Sequence, residues 1–263
     1  MPKVAIATPE KAVPVPPPAG TGAIESRALL NRPVDPIHLV MHRMEPAATA
    51  TLRGDPSDLA LFVWQGSAAA GGVALAEKSS VVVEHGASLR LTAGAQGAVI
   101  MAFNVREREP GAAGGGGHVH VLPVERVPRT AALAGNAGIG GALHADAGCP
   151  TCSVWLHENS YAMADKETPV HSHSEDEVIF VHTGSIRLGN RVYGPGTALA
   201  IAADTKYGFF SGPDGLGFVN FRARSPTYTS GDGMTVMDEA ELWRGLLGRP
   251  EYVEPVECPG VST

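Results

Sequence analysis

Pro169-Val-His-Ser-His-Ser-Glu-Asp-Glu-Val-Ile-Phe-Val-His-Thr-Gly184 is the most informative stretch of this chain, and it reduces to His171-x-His173-x3-Glu177-x6-Gly184. Two histidines two residues apart on a strand project from one face. A carboxylate arriving after a short turn can close a cluster around one cation, because imidazole nitrogen and carboxylate oxygen are both ligands for divalent metals. Gly184 then lets the chain turn sharply. His182 lies an odd number of positions from Glu177, so on a regular strand it points away from the cluster. A second H-x-H, His118-Val119-His120, has Val124 where a carboxylate is needed and reads as an ordinary strand, since two imidazoles alone make a poor site.

Working outward, Ile179-Phe-Val-His-Thr-Gly-Ser185 has a counterpart in Leu61-Phe-Val-Trp-Gln-Gly-Ser67, a shift of 118 positions. Without a gap the same shift aligns Gly71 with Gly189, Gly94 with Gly212, Gly97 with Gly215 and Phe103 with Phe221. A constant register over so long a stretch points to duplication. Each half reads as short strands with period-two alternation, such as Ser80–Glu84 and Thr197–Ile201, divided by Gly, Pro, Asn and Asp turns. Gly111 to Gly117 reads as a flexible connector. One helix is expected over Asp238–Leu247, with Leu242, Trp243 and Leu246 as its apolar stripe and Gly248 and Pro250 ending it, packed outside a barrel. The proline-rich start either wraps a neighbouring subunit or is disordered. The glycines at 135, 138, 140 and 141 lack the strand-turn-helix setting of a dinucleotide loop.

In 263 residues, 32 Gly and 21 Pro suit many short strands joined by tight turns, hence an all-β class. A net charge of −7 argues against nucleic acid or an anionic membrane as partner and leaves a small molecule. No apolar run approaches the length of a membrane span, and the start carries no continuous hydrophobic segment. Three cysteines, Cys149, Cys152 and Cys258, are too few for a disulfide framework and fit a reducing cytoplasm. Cys149-Pro-Thr-Cys152 has the spacing of a zinc knuckle or redox pair, with His144 and His157 flanking it, and also of plain loop thiols. Glu84 and His85 adjoin on a strand and so face opposite ways.

The His171 segment resembles the first motif of the cupin superfamily, G-x5-H-x-H-x3,4-E-x6-G, with Asp165 in place of the leading Gly. Gly196 to Ser211 is similar to the second motif only in spacing and in Gly196, and Tyr207 stands at its last histidine ligand. With the repeat, the resemblance implies two double-stranded β-helix (cupin, jelly-roll-like) barrels in one chain. It implies one divalent metal on His171, His173 and Glu177, iron(II) first and then manganese, zinc or nickel. Shifted back by 118, the four ligand positions hold Arg53, Asp55, Leu59 and Leu89, which cannot bind a cation, so the first barrel is expected to be degenerate and metal-free. The division expected is an arm over 1–38, the metal-free barrel over 39–110, connector and lead-in strands over 111–150, the metal barrel over 151–225, and a helix with tail over 226–263. The resemblance also implies a homodimer built through sheet edges.

Two His and one carboxylate are the donors of open-sided non-haem iron(II) centres, so dioxygenase chemistry comes first. A tyrosine beside a cation is equally placed for proton transfer, its pKa drawn below about 10 by the metal charge. That gives the alternative of an aminohydrolase, lyase or isomerase using Tyr207, for which ureidoglycine aminohydrolase, a bicupin that uses only its second barrel, is an analogy. A non-catalytic binding or storage module is the third reading. His157 lies on the strand before the ligand strand and is a candidate substrate contact, and Arg222, with Arg187 and Arg224, is a candidate for recognising a carboxylate.

Overall fold

The protein is described here by a computed structural model covering residues 3–31, 35, 37–105 and 117–253. The chain divides into two units that interleave in sequence. The N-terminal unit takes Ala12–Val127, Cys149–Ser153 and the chain from Pro250, and the C-terminal unit takes the first eleven residues, Pro128–Gly148 and Val154–Arg249. Strands dominate both, and every strand pair among the described residues is antiparallel. No helix is long and apolar enough to cross a membrane.

The sheet of the C-terminal unit runs in the order Val4–Ala7, Ala198–Ile201, Glu177–Leu188, Tyr207–Arg222, Trp155–Tyr161, Asn136–Ala145 and Arg129–Leu133. Glu167–His173 joins it through Tyr207–Arg222. In the N-terminal unit the order is Val119–Leu122, Ser80–Val83, Leu59–Ala70, Ser88–Val105, Ile37–Met44, Ile24–Leu30 and Val13–Pro14. Leu59–Ala70, Val73–Leu75 and Ser80–Val83, moved by 118 positions, coincide bound for bound with Glu177–Leu188, Arg191–Tyr193 and Ala198–Ile201. The duplication read from the sequence is thus a duplication of strands.

The unit limits differ from the expected division. Val4–Ala7 pairs with Ala198–Ile201 of the C-terminal unit, while Val119–Leu122 pairs with Ser80–Val83 of the N-terminal one. Backbone pairing takes up the proline-rich start in this same chain, with Val13–Pro14, Gly20–Thr21 and Ile24–Leu30 all strands. The Gly-rich connector, apart from Gly117, lies outside the described residues.

Two local expectations are corrected. Ser80–Val83 and Ala198–Ile201 bury all four residues instead of alternating, because both faces of these strands are covered. Gly184 is no turn but the bulge inside Glu177–Leu188, where the register slips before Ile186. Its φ of 62° is left-handed, and a Cβ there would sit 2.3 Å from the Gly215 carbonyl oxygen. Gly66, its counterpart in the repeat, stands at φ 73° against Gly97 in the same way.

The helix spans Glu239–Leu247, with the Asp238 carboxylate accepting from the Glu241 backbone N–H at 2.9 Å as its N-cap. Its buried side chains are Glu239, Ala240 and Trp243, whereas Leu242 and Leu246 are 41% exposed. The stripe inferred from the leucines is therefore rotated: the helix turns its first residue and its tryptophan towards the sheet.

Candidate functional site

A cavity of about 390 Å³ opens in the C-terminal unit, with His157, His171, His173, Tyr207, Asn220, Arg222 and Glu239 on its polar side and Ile179, Phe209 and Phe218 on its apolar side. Strand geometry explains the polar set. His171 and His173 share a face of Glu167–His173, Asn220 and Arg222 share a face at the end of Tyr207–Arg222, and His157 is the register partner of Asn220. His171, His173, Tyr207 and both predicted substrate contacts line this one cavity; Glu177 does not line it but is hydrogen-bonded to Asn220 and Arg222, which do.

His171 Nδ1 lies 2.7 Å from the Pro169 carbonyl oxygen. A carbonyl only accepts, so Nδ1 carries the proton and Nε2 keeps its lone pair, as a metal-binding imidazole requires. Burial holds the His171 imidazole below its usual range and therefore neutral. Glu177 is 1% exposed, and its Oε2 accepts from Asn220 Nδ2 at 2.7 Å and from Arg222 Nη2 at 2.6 Å. Its Oε1 has no hydrogen-bond partner. Although burial acts against it, the Arg222 guanidinium keeps the Glu177 carboxyl ionised, below the ordinary range.

Arg222, 0% exposed, is the pivot of the electrostatics. Besides Glu177 it meets Glu239, with Nη1 3.4 Å from Oε2, and that same Oε2 lies 3.0 Å from His173 Nδ1. The arginine expected to face a substrate is thus already engaged by two carboxylates, though its Nε and Nη1 make no hydrogen bond. Glu177, Glu239 and Arg222 sum to one net negative charge in a buried place. His157 offsets none of it: burial pushes its imidazole down to about 3, and Trp243 covers it with ring centroids 4.4 Å apart.

Tyr207 is the register partner of His171, with ring centroids 4.5 Å apart. Burial, and after it the Glu177 charge, push its phenol well above 10. A bound cation acts in the opposite direction.

Do these residues fit a metal ion? The freed His171 nitrogen, the unpartnered Glu177 oxygen and the net negative charge all suit a cation. The arrangement is nonetheless open. Among the described residues, only a cluster in the other unit brings three or more ligand atoms all within 4.8 Å of one another. Glu177 leans towards Asn220 and Arg222 instead. His182 sits on the opposite face, as its parity predicts, 3.2 Å from Glu158.

Sequence reasoning missed Glu239, Asn220 and Trp243. Asn220 had a signal: polar residues at 220 and 222 share one face and interrupt the otherwise apolar end of their strand, from Leu216. Glu239 had none, since an acid after an N-cap Asp is what any helix start prefers.

No family model and no curated protein matches the chain. Solved structures do. Protein Ylba from E. coli gives a TM-score of 0.66 at 14% identity, over 84% of this chain and 90% of its own. A candidate dioxygenase from Nostoc punctiforme gives 0.64 at 13%, over 90% and 87%. A mutant of Bacillus subtilis oxalate decarboxylase gives 0.63 at 12%, over 86% and 79%. The fold is that of the cupin β-barrel proteins. At these identities the likeness is one of cupin fold, which hosts many chemistries, so activity has to be argued from the cavity itself.

Proposed function

We propose that the C-terminal cavity is the active site of a metal-dependent cupin enzyme acting on a small polar organic molecule, with Tyr207 as its proton donor. The observation that carries this reading is the Tyr207 phenol packed on the His171 ring, centroids 4.5 Å apart, in a cavity whose buried Glu177, Glu239 and Arg222 sum to one negative charge. His171, His173 and Glu177 are the residues that would hold one divalent cation, supplying Lewis-acid polarisation of a substrate oxygen. Asn220 and Arg222 orient Glu177, and the Arg222 Nε donor, which makes no hydrogen bond, suits a substrate carboxylate. Phe209, Phe218 and Ile179 form the apolar wall of a cavity sized for a small molecule. The chemistry read here is lyase-like or hydrolytic.

Iron(II) dioxygenase chemistry is the second reading, favoured by the two-imidazole, one-carboxylate donor set. Manganese also enters, since a related solved structure is described by the Mn(II) centres of oxalate decarboxylase. Tyr207→Phe separates the two. Under proton transfer the variant keeps its metal and loses about 10²- to 10⁴-fold in kcat on whichever small carboxylic acid or amide the wild type turns over. Oxygen uptake by the iron-loaded wild type, unchanged in the variant, establishes the second reading instead, and a metal content that does not fall in a His171→Ala, His173→Ala variant leaves a binding module. We extend the reading to an N-terminal barrel that holds no metal at the positions equivalent to His171, His173 and Glu177, a homodimer joined through sheet edges and a cytoplasmic location. Iron and manganese analysis of a His171→Ala, His173→Ala variant, expected to find neither metal, sedimentation, and imaging of a tagged chain check these in turn.

A further inference from the structure

Glu84, His120, Cys149 and Cys152 bring one ligand atom each to within 4.8 Å of one another. All four belong to the N-terminal unit, although residues on either side of Cys149–Ser153 in the chain belong to the other. Sequence reading had set each apart: the Cys pair without convincing partners, His120 as part of a plain strand, Glu84 as a residue facing away from His85. Folding joins them. Glu84 directly follows Ser80–Val83, which pairs with Val119–Leu122, and this sets His120 beside it, Nε2 to Oε1 at 2.7 Å. The Thr151 hydroxyl donates to Glu84 and draws the Cys149-Pro-Thr-Cys152 loop in, and the His118 backbone N–H donates to the same carboxylate at 3.1 Å.

We propose that these four side chains form a structural zinc site. Two thiolates, an imidazole and a carboxylate in a closed tetrahedral set, with no protein position left open, suit zinc in preference to harder cations. Tetrahedral bonds of about 2.0–2.3 Å separate ligand atoms by about 3.3–3.8 Å, so atoms that all lie within 4.8 Å of one another need only small shifts, the His120–Glu84 pair opening from its 2.7 Å hydrogen bond. Glu84 is 0% exposed and Cys152 1%, so the ion would be dry on that side. The Tyr252 ring packs against the His120 imidazole, centroids 4.9 Å apart and tilted by 48°. Two protons leave the thiols on binding. A redox pair uses only the two sulfurs and gives no reason for a buried carboxylate and an imidazole to meet them.

The test uses the full chain carrying Cys258→Ser, purified with reductant, stripped by chelator and reloaded with zinc or cobalt(II). One zinc per chain in a further His171→Ala, His173→Ala variant is expected, which separates this site from the cavity of the other unit. Zinc should slow modification of the two remaining thiols by at least about tenfold, and cobalt should give a thiolate charge-transfer band in the near ultraviolet. Thiols that react equally fast with and without zinc, or cobalt bound without that band, overturn the proposal. Because both readouts use the unmutated ligands, misfolding of a Cys152→Ser variant does not enter.

Discussion

Leu52, Leu59, Leu89 and Ala102 hold in the N-terminal unit the places that His171, Glu177, Tyr207 and Asn220 hold in the C-terminal one. The registers make the match: Leu89 pairs with Leu52 as Tyr207 pairs with His171, and Ala102 pairs with Leu61 as Asn220 pairs with Ile179. All four N-terminal residues sit in one continuous apolar core. The smaller C-terminal core of Ile179, Val181, Phe209 and Phe218 stops where the polar cluster starts. One strand frame therefore tolerates two interiors. An interior of Leu and Ala stabilises by burial, whereas Glu177 and Glu239 persist only because Arg222 lies between them. Where a protein keeps such an arrangement beside an apolar twin, function is the usual reason.

The sharpest way to break this comparison is to remove the balancing charge. Arg222→Met leaves two buried carboxylates without a cation and should cost about 3–5 kcal/mol in urea unfolding at pH 7. Both carboxyls are held below their ordinary range in the folded protein, with Arg222 as their largest favourable charge. Their contribution is thus present above about pH 4.5 and lost as pH falls further, whereas in the variant acid should restore stability. A variant as stable as the wild type at pH 7 removes the electrostatic half of the argument.

Exchanging the paired residues should give unequal results. Leu89→Tyr overfills a closed core and buries a hydroxyl without a partner, for a loss of about 3 kcal/mol. Tyr207→Leu, beside an existing cavity, should cost under about 1 kcal/mol by the same measurement while abolishing turnover. Equal losses would mean that the two interiors are packed alike.

Each unit also hides a neutral imidazole, and the N-terminal one gives a clean pH effect. Burial lowers His42 to about 4, and its Nδ1 lies 2.8 Å from the Ser26 hydroxyl. The unfolded chain, titrating near 6.5, binds the proton first, so stability falls as pH drops from about 6.5 towards 4. Between pH 7 and 5 the loss from this group is about 2 kcal/mol, and His42→Asn should flatten that part of the profile.

How much of this was legible beforehand depended on distance along the chain. The strand repeat, the His171-x-His173-x3-Glu177 run and Tyr207 were readable because each is local or recurs at a fixed offset. The offset then misled at one point. A register shift between Thr168 and His171 moves the true counterpart of His171 from Arg53 to Leu52, and bulges leave no mark in a residue pattern. Glu239, 62 positions beyond Glu177, and Glu84, 65 before Cys149, join their clusters only through tertiary packing.

Glu177→Gln is the mildest probe of the comparison and tests what the carboxylate is for. The amide keeps the shape and an oxygen that can still accept from Asn220 and Arg222, so the hydrogen bonds at Oε2 have a replacement. It also brings the Glu177, Glu239 and Arg222 sum from one negative charge to zero, which removes a buried net charge instead of creating one. Stability should therefore stay within about 1 kcal/mol of the wild type or rise, the pattern of a residue kept for its site and not for the fold. Metal binding in the C-terminal cavity should fall at least about tenfold by calorimetry, since a neutral amide replaces an anionic ligand. A large loss of stability with metal affinity intact would make Glu177 a partner for Arg222 and nothing more, and the C-terminal interior would then differ from its apolar twin for structural reasons alone.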